Sequence, residues 1–83
     1  MTWRYVAARE MIGPPEDEEE YWTVREYYNG GGNYSVAITP AGDTLEELRQ
    51  CLMDMLNDLD RYIDLDSDTP TKLLYTGDLD ATS

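Results

Sequence analysis

Seven apolar side chains between residues 45 and 63 recur at the spacing of one face of an α-helix. Thr44 and Glu47 form a capping-box pair at its start, in which each side chain satisfies a free backbone N–H. We predict a helix from about residue 44 to about Tyr62, roughly 28 Å long. Its apolar stripe, flanked by Cys51, consists of Leu45, Leu48, Leu52, Met55, Leu56, Leu59 and Ile63.

Residues ahead of this helix alternate in the manner of β-strands, and turn residues separate them. We predict strands over residues 3–10, 20–28 and 34–39. Gly13-Pro14-Pro15 ends the first strand, since proline cannot donate to a sheet ladder. The run 29–33, Asn-Gly-Gly-Gly-Asn, is a hairpin turn because Gly and Asn tolerate positive φ.

Strands followed by a helix predict an α+β domain with an antiparallel three-stranded sheet in the order β-β-β-α. A fourth strand is the alternative, if residues 71–76 pair at the sheet edge. A chain of 83 residues is one domain, here assigned to residues 1–76, with 77–83 as a frayed tail. The helix is expected to pack on one sheet face, with Leu48, Leu52, Met55 and Leu59 buried against Trp22, Val24, Val36 and Ile38.

Charge is the most extreme property of the chain, with 18 acidic residues, 6 basic residues and a net charge of −12. Such a field repels nucleic acid, whose binding requires Lys and Arg to neutralise phosphates. It attracts a basic protein surface, including one built to hold nucleic acid. Simple solubility is the alternative explanation. The candidate partner-binding acids are Glu16, Asp17, Glu18, Glu19, Glu20, Glu47, Asp54, Asp58, Asp64, Asp66 and Asp68.

The helix contributes three of these acids as a row on one side. Glu47, Asp54 and Asp58 lie within about 40° of one another on a helical wheel, at axial separations of about 10 and 6 Å. Together with the acids at 16–20 and 64–68, they could imitate a stretch of phosphates. The alternative is that an amphipathic helix must place charges on its outer face.

The second strand predicts another candidate surface. One helix covers one face of a sheet, so with Trp22 and Val24 toward the helix, Tyr21, Arg25 and Tyr27 are left on the opposite face. Tyr and Arg dominate binding energy at interfaces, which favours a partner surface or a homodimer contact there. The alternative is that the segment around residues 73–75 folds back over this face.

Residues that carry enzymatic chemistry are largely missing, so we predict a protein that is not an enzyme and has no cofactor or metal. The chain has no His, and Cys51 adjoins the apolar helix stripe, where a thiol acts as a small hydrophobe. Asp64-x-Asp66-x-Asp68 resembles the start of a calcium loop, but Thr69 and Tyr75 stand where Gly and Glu are needed. A single cysteine, no signal peptide and no membrane span predict a cytoplasmic protein.

Residues 34–48, Tyr-Ser-Val-Ala-Ile-Thr-Pro-Ala-Gly-Asp-Thr-Leu-Glu-Glu-Leu, resemble HicB-type antitoxins, with a hairpin and a Gly-Asp-Thr-x-Glu-Glu helix start. The resemblance extends over residues 21–65. It departs from the family in a shorter loop before Gly42 and in the absence of a C-terminal DNA-binding segment. It implies a β-β-β-α fold and a protein-binding role. It does not imply a repressor that binds an operator.

In size, charge and lack of catalytic residues, the chain is also similar to the small acidic inhibitors that phages make against bacterial defence nucleases, including anti-CRISPR proteins. We therefore expect a non-enzymatic inhibitor of a basic, nucleic-acid-handling protein, acting as an anti-defence or antitoxin-like module by nucleic-acid mimicry or another route. The alternative is a homodimeric accessory domain with no nucleic-acid connection. Under either hypothesis, we expect the protein to have no membrane partner and not to bind nucleic acid directly.

Overall fold

A computed structural model describes residues 2–29 and 32–80. Within these residues the fold is α+β, with a mixed five-stranded sheet of order β3-β2-β1-β4-β5 and one main helix. The prediction of an α+β fold is confirmed, whereas the expectation of a purely antiparallel sheet is wrong. The elements are β1 (Trp3–Ile12), β2 (Glu19–Tyr28), β3 (Asn33–Tyr34), α1 (Leu45–Asp58), β4 (Arg61–Asp64), β5 (Leu74–Tyr75) and α2 (Gly77–Asp80).

The antiparallel hairpin of β1 and β2 is the longest paired unit, with a register from Trp3↔Tyr28 to Ile12↔Glu19. Its tight turn starts at Gly13, whose φ of 104° favours glycine. A Cβ atom there would lie 2.7 Å from the carbonyl oxygen of Asp17. The turn is closed by the Asp17 N–H, which donates to the Pro14 carbonyl at 2.9 Å.

The third strand is shorter than predicted, since regular pairing ends at Tyr34. Beyond it the hydroxyl of Ser35 accepts the N–H of Glu26 at 2.9 Å, which is a bond that a backbone carbonyl makes in a regular ladder. The chain still follows β2, because the Ile38 N–H donates to the Val24 carbonyl at 2.8 Å. Val36, expected in the core, is 78% exposed.

Helix α1 ends at Asp58, so the prediction that it reaches Tyr62 is wrong. Arg61–Asp64 forms β4 instead, parallel to β1 in the register Ala7↔Tyr62. One edge of β1 is occupied by β2, and the other exposes unpaired N–H and C=O groups that β4 satisfies. This pairing outweighs the continuation of the helical pattern and makes the sheet mixed.

The expected edge strand over residues 71–76 is present in a shorter form, β5, which pairs antiparallel with β4. Residues 77–80 form the single-turn helix α2. These four residues belong to the tail that was expected to be frayed, 77–83. Residues 81–83 of that tail, and the glycines at 30 and 31 of the predicted hairpin turn, lie outside the described residues. No helix within the described ranges is long and apolar enough to cross a membrane.

The hydrophobic core lies on the sheet face that α1 does not cover. Helix α1 contacts β1 on the side of Trp3 and Tyr5, whereas Val6 and Ala8 alternate to the other side. There the buried cluster of Val6, Ala8, Tyr27 and Ile63 is overlaid by Tyr34, Leu65 and Leu73. Of the helix residues expected in the core, Met55 is buried, while Leu52 is 48% exposed.

Candidate partner-binding surfaces

Two acidic segments that are far apart in sequence meet at one end of the sheet. Residues 16–20 form the turn of the β1–β2 hairpin and the start of β2, and residues 64–68 follow β4. Because β4 runs parallel to β1, both segments lie where β1 ends: the Leu65 N–H donates to the Arg9 carbonyl at 2.9 Å, and the Met11 N–H donates to the Asp66 carboxylate. We call this region the acidic end; its acids are Glu16, Asp17, Glu18, Glu19, Glu20, Asp64, Asp66 and Asp68.

Arg9 lies between the two segments and joins them. Its Nε donates to Glu20 at 2.7 Å, and its Nη1 lies 3.2 Å from both carboxylate oxygens of Asp64. The Trp22 indole N–H also donates to Glu20 at 3.0 Å, and these bonds hold the pKa of Glu20 below its usual value, the indole bond contributing most. The hydrogen bond with Glu20 raises the pKa of Arg9.

The acids of this end have two kinds of role. Asp64 also accepts the N–H of Asp66 at 3.1 Å, so it shapes the local turn, and Asp66 is engaged with Met11. Within the described ranges, five exposed acids make no hydrogen bond or ion pair through their side chains and carry their charge fully to solvent. These are Glu16, Asp17, Glu18, Glu19 and Asp68.

The three helix acids lie apart from the acidic end's turn, and each has an intramolecular partner. The Thr44 hydroxyl accepts the Glu47 N–H at 3.1 Å, which is one half of the predicted capping box, while the Glu47 carboxylate accepts the N–H of Asp43, one residue before the cap, at 3.0 Å. Asp54 accepts from the Gln50 amide at 2.9 Å, and half-buried Asp58 accepts the Tyr5 N–H at 3.1 Å. The row therefore contributes to the helix cap and to the contact between α1 and β1.

The sheet face that carries Tyr21, Arg25 and Tyr27 is not open along its length. The register places all three on one face, as predicted, but Tyr27 is buried and its hydroxyl donates to the Thr71 carbonyl at 3.0 Å. Arg25 donates to the Ser35 carbonyl at 3.0 Å and stacks over the Tyr34 ring. The prediction that Tyr27 lies on an open surface is therefore wrong, and the alternative holds there, since the segment that includes Thr71 and Leu73 covers this face.

Tyr21 and Trp22 lie at the margin of the acidic end, and both remain partly accessible. Tyr21 is 49% exposed, and Trp22 packs its ring edge-on against Tyr62 at 5.5 Å between centroids. Of the three residues predicted for the open face, Tyr21 is thus the one that offers a large aromatic surface to a partner.

Helix α1 carries an apolar surface that we call the leucine ridge, formed by Leu45, Leu52 and Leu56. These side chains are 69%, 48% and 72% exposed and lie within about 40° of one another on a helical wheel. All three belong to the predicted apolar stripe of the helix, and Leu52 is one of the residues expected in the core. Exposure of the ridge follows from the narrow contact between α1 and β1, in which Met55 is the buried helix residue.

A cavity of about 580 Å³ lies between β1 and the last turns of α1. It is lined by Trp3 and Tyr5 on the strand side and by Asp54, Asn57 and Asp58 on the helix side. The two aromatic rings are perpendicular, with centroids 5.0 Å apart. Partial burial, followed by the neighbouring Cys51 thiol, raises the pKa of Tyr5. The sequence pattern gave no signal for this site, because its halves lie 49 or more residues apart.

Comparison of the chain with protein-family models, with curated proteins and with solved structures gives no match. We therefore infer function from the chemistry of the acidic end, the leucine ridge and the cavity.

Proposed function

We propose that this chain is a non-enzymatic binding protein that docks on a basic, nucleic-acid-handling protein and inhibits it. The observation that carries the proposal is the convergence of residues 16–20 and 64–68 at the acidic end. Five acids there have no partner within the described residues, which leaves uncompensated charge concentrated on one end of a small domain.

Concentrated negative charge selects a partner of opposite sign. Electrostatic complementarity raises the association rate and suppresses wrong partners, and by the same rule a net charge of −12 opposes the approach of nucleic acid. A surface that holds nucleic acid is rich in Lys and Arg, so an acidic domain that occupies it competes with the nucleic acid. Nucleic-acid mimicry, a cytoplasmic anti-defence or antitoxin-like role and a phage origin belong to this proposal, in keeping with the resemblances in the sequence.

A pair of charge-matched variants tests the proposal. In the first, three unpartnered acids of the acidic end are neutralised: Glu16→Gln, Glu18→Gln and Glu19→Gln. The control neutralises three exposed acids elsewhere: Asp43→Asn, Glu46→Gln and Asp78→Asn. Each variant and the wild-type protein are immobilised and exposed to nuclease-treated host lysate. Captured proteins are identified after elution in salt steps and after competition with duplex DNA.

We expect the wild-type and control proteins to retain a basic nucleic-acid-binding protein that duplex DNA displaces. The acidic-end variant is expected to lose this capture by slower association, because exposed charges act over about 8–10 Å at physiological ionic strength. Equal capture by both variants, or capture that neither salt nor DNA weakens, would contradict the proposal.

The leucine ridge favours a second candidate, a homodimeric interaction domain without a nucleic-acid connection. Along α1 the spacing of the apolar and basic positions is the same in either direction, at 45, 48, 49, 52, 53 and 56. An antiparallel helix pair related by a two-fold axis therefore brings Leu45 opposite Leu56. Self-pairing brings two chains of the same negative charge together. Salt screens the repulsion between them, so high salt would strengthen the dimer.

The oligomeric state at two salt concentrations separates the candidates. Sedimentation of the wild-type protein, of Leu56→Glu on the ridge and of Val36→Glu, at an exposed apolar position outside α1, measures self-association directly. A dimer that forms more readily in high salt and is lost in Leu56→Glu supports the second candidate. A monomer at all concentrations and salts contradicts it.

A further inference from the structure

We propose that the cavity between β1 and α1 binds the guanidinium group of an arginine side chain. The partner that would supply this arginine rests on the proposed function, whereas the site itself rests on the geometry of five side chains. It is a specific contact in addition to the diffuse attraction of the acidic end.

The cavity has an aromatic wall and an acidic wall. Trp3 and Tyr5 alternate onto the same face of β1, and their perpendicular rings offer both a ring face and a ring edge to a ligand. Asp54, Asn57 and Asp58 follow one another at i, i+3 and i+4, so one face of α1 presents two carboxylates and an amide.

The two carboxylates keep acceptor capacity after their internal bonds are counted. Asp58 uses Oδ2 for the Tyr5 N–H at 3.1 Å, and Asp54 uses Oδ1 for the Gln50 amide at 2.9 Å. Within the described residues, no donor contacts the other oxygen of either carboxylate. The nearby Arg4 is engaged elsewhere, because its Nη2 donates to the Asp58 carbonyl at 2.6 Å and to the Asp60 carboxylate.

This combination fits a planar cation better than other ligand classes. A cation over the face of Trp or Tyr is attracted by the ring quadrupole, and a guanidinium stacks on such rings while its five N–H donors reach carboxylates. Anions are repelled by Asp54 and Asp58. A purely apolar ligand would leave the free carboxylate oxygens without donors. Trp3 is 47% exposed, so a guanidinium bound in the cavity would cover part of its ring.

The test is an NMR titration of the ¹⁵N-labelled full chain with N-acetyl-arginine amide. The matched probe is N-acetyl-citrulline amide, which has nearly the same shape without the charge. The two tryptophans provide an internal control, since Trp3 lines the cavity and Trp22 lies outside it. We expect saturable shifts of the Trp3 indole and Asn57 side-chain amide signals with arginine, and at least about tenfold weaker binding of citrulline.

Variants assign the response to the cavity. Asp54→Asn removes an exposed carboxylate charge and is expected to weaken arginine binding several-fold, while Asp68→Asn, an equal charge change at the acidic end, leaves it unchanged. Equal shifts with citrulline, equal movement of Trp22, or an unaltered titration in Asp54→Asn would overturn the proposal. A response to N-acetyl-lysine amide as strong as that to arginine would overturn the assignment to guanidinium.

Failure of this site and failure of the proposed function give different results. If the cavity ignores arginine while the acidic-end variant still loses its captured partner, the cavity inference alone falls. If the cavity binds arginine while capture is insensitive to the acidic end, the proposed function falls and the cavity stands.

Discussion

The two faces of the sheet are buried to very different extents. On one face Val6, Ala8 and Ile63 are fully buried beneath the irregular segment of residues 65–73. On the other, α1 lies against β1 through a narrow contact, and Leu45 and Leu56 remain largely exposed. The amphipathic helix thus buries less apolar surface than its pattern predicts. The core is covered instead by the irregular segment of residues 65–73.

Apolar periodicity identifies side chains that share a face of an element, but not the element that covers them. Stability is concentrated in the face covered by residues 65–73, because buried apolar area is the dominant favourable term in folding. The helix side carries the leucine ridge, which is apolar, and the cavity, which has an aromatic wall and an acidic wall. The two faces therefore differ in burial: one holds the core, and the other leaves apolar and aromatic side chains exposed.

The largest expected effect is at Ile63. Ile63→Ala removes a fully buried side chain from the core and should lower the free energy of unfolding by about 2–5 kcal/mol. Leu56→Ala, a similar truncation at a 72% exposed position, should change it by about 0.5 kcal/mol or less. Urea denaturation measures both. Equal losses would break the contrast between the two faces.

A smaller effect is expected where the covering segment is anchored by a hydrogen bond. Tyr27→Phe removes the hydroxyl that donates to the Thr71 carbonyl and should cost about 1 kcal/mol. Tyr34→Phe is the control, since its hydroxyl makes no hydrogen bond within the described residues. Denaturation midpoints compare the two. If Tyr27→Phe is neutral, the segment is held by Leu65 and Leu73 alone.

Leu52→Ala sharpens the comparison within the helix itself. Leu52 is 48% exposed, so its truncation should cost less than about 1 kcal/mol, whereas burial of its whole side chain would make the cost 2–5 kcal/mol. Met55→Ala, at the 3% exposed helix position, provides the reference for a buried residue of the same helix. Thermal and urea unfolding are sufficient, and a cost at Leu52 that matches Met55 would mean that the ridge is covered.

The smallest effect concerns the acidic end. The pKa of Glu20 is lowered, first by the Trp22 indole and then by Arg9, so its ionised form stabilises the fold above its ordinary pKa. That contribution is lost as the pH falls through the lowered pKa. Glu20→Gln should therefore melt slightly below wild type at neutral pH, and the difference should vanish in acid. Glu18→Gln, which loses no partner, should show no such pH-dependent difference.

Much of the local structure could be predicted from the sequence. The capping pair of Thr44 and Glu47 gave the start of α1, and Gly13 with its prolines gave the end of β1. The sidedness of β2 was also correct, because alternation fixes which residues share a face. The candidate surfaces were less accessible to prediction, since Tyr27 proved buried and the cavity combines distant residues.

What the sequence determined by itself is therefore the set of local elements: a capped helix, a long hairpin and two exposed acidic segments. These follow from hydrogen bonds, turn geometry and charge repulsion between residues close in the chain. Tertiary structure alone decided that residues 61–64 complete the free edge of β1, that residues 65–73 cover the core, and that the acidic segments meet. The physical reason is that backbone groups at a sheet edge and apolar side chains on its face are satisfied by whichever segment reaches them, however far away it lies in sequence.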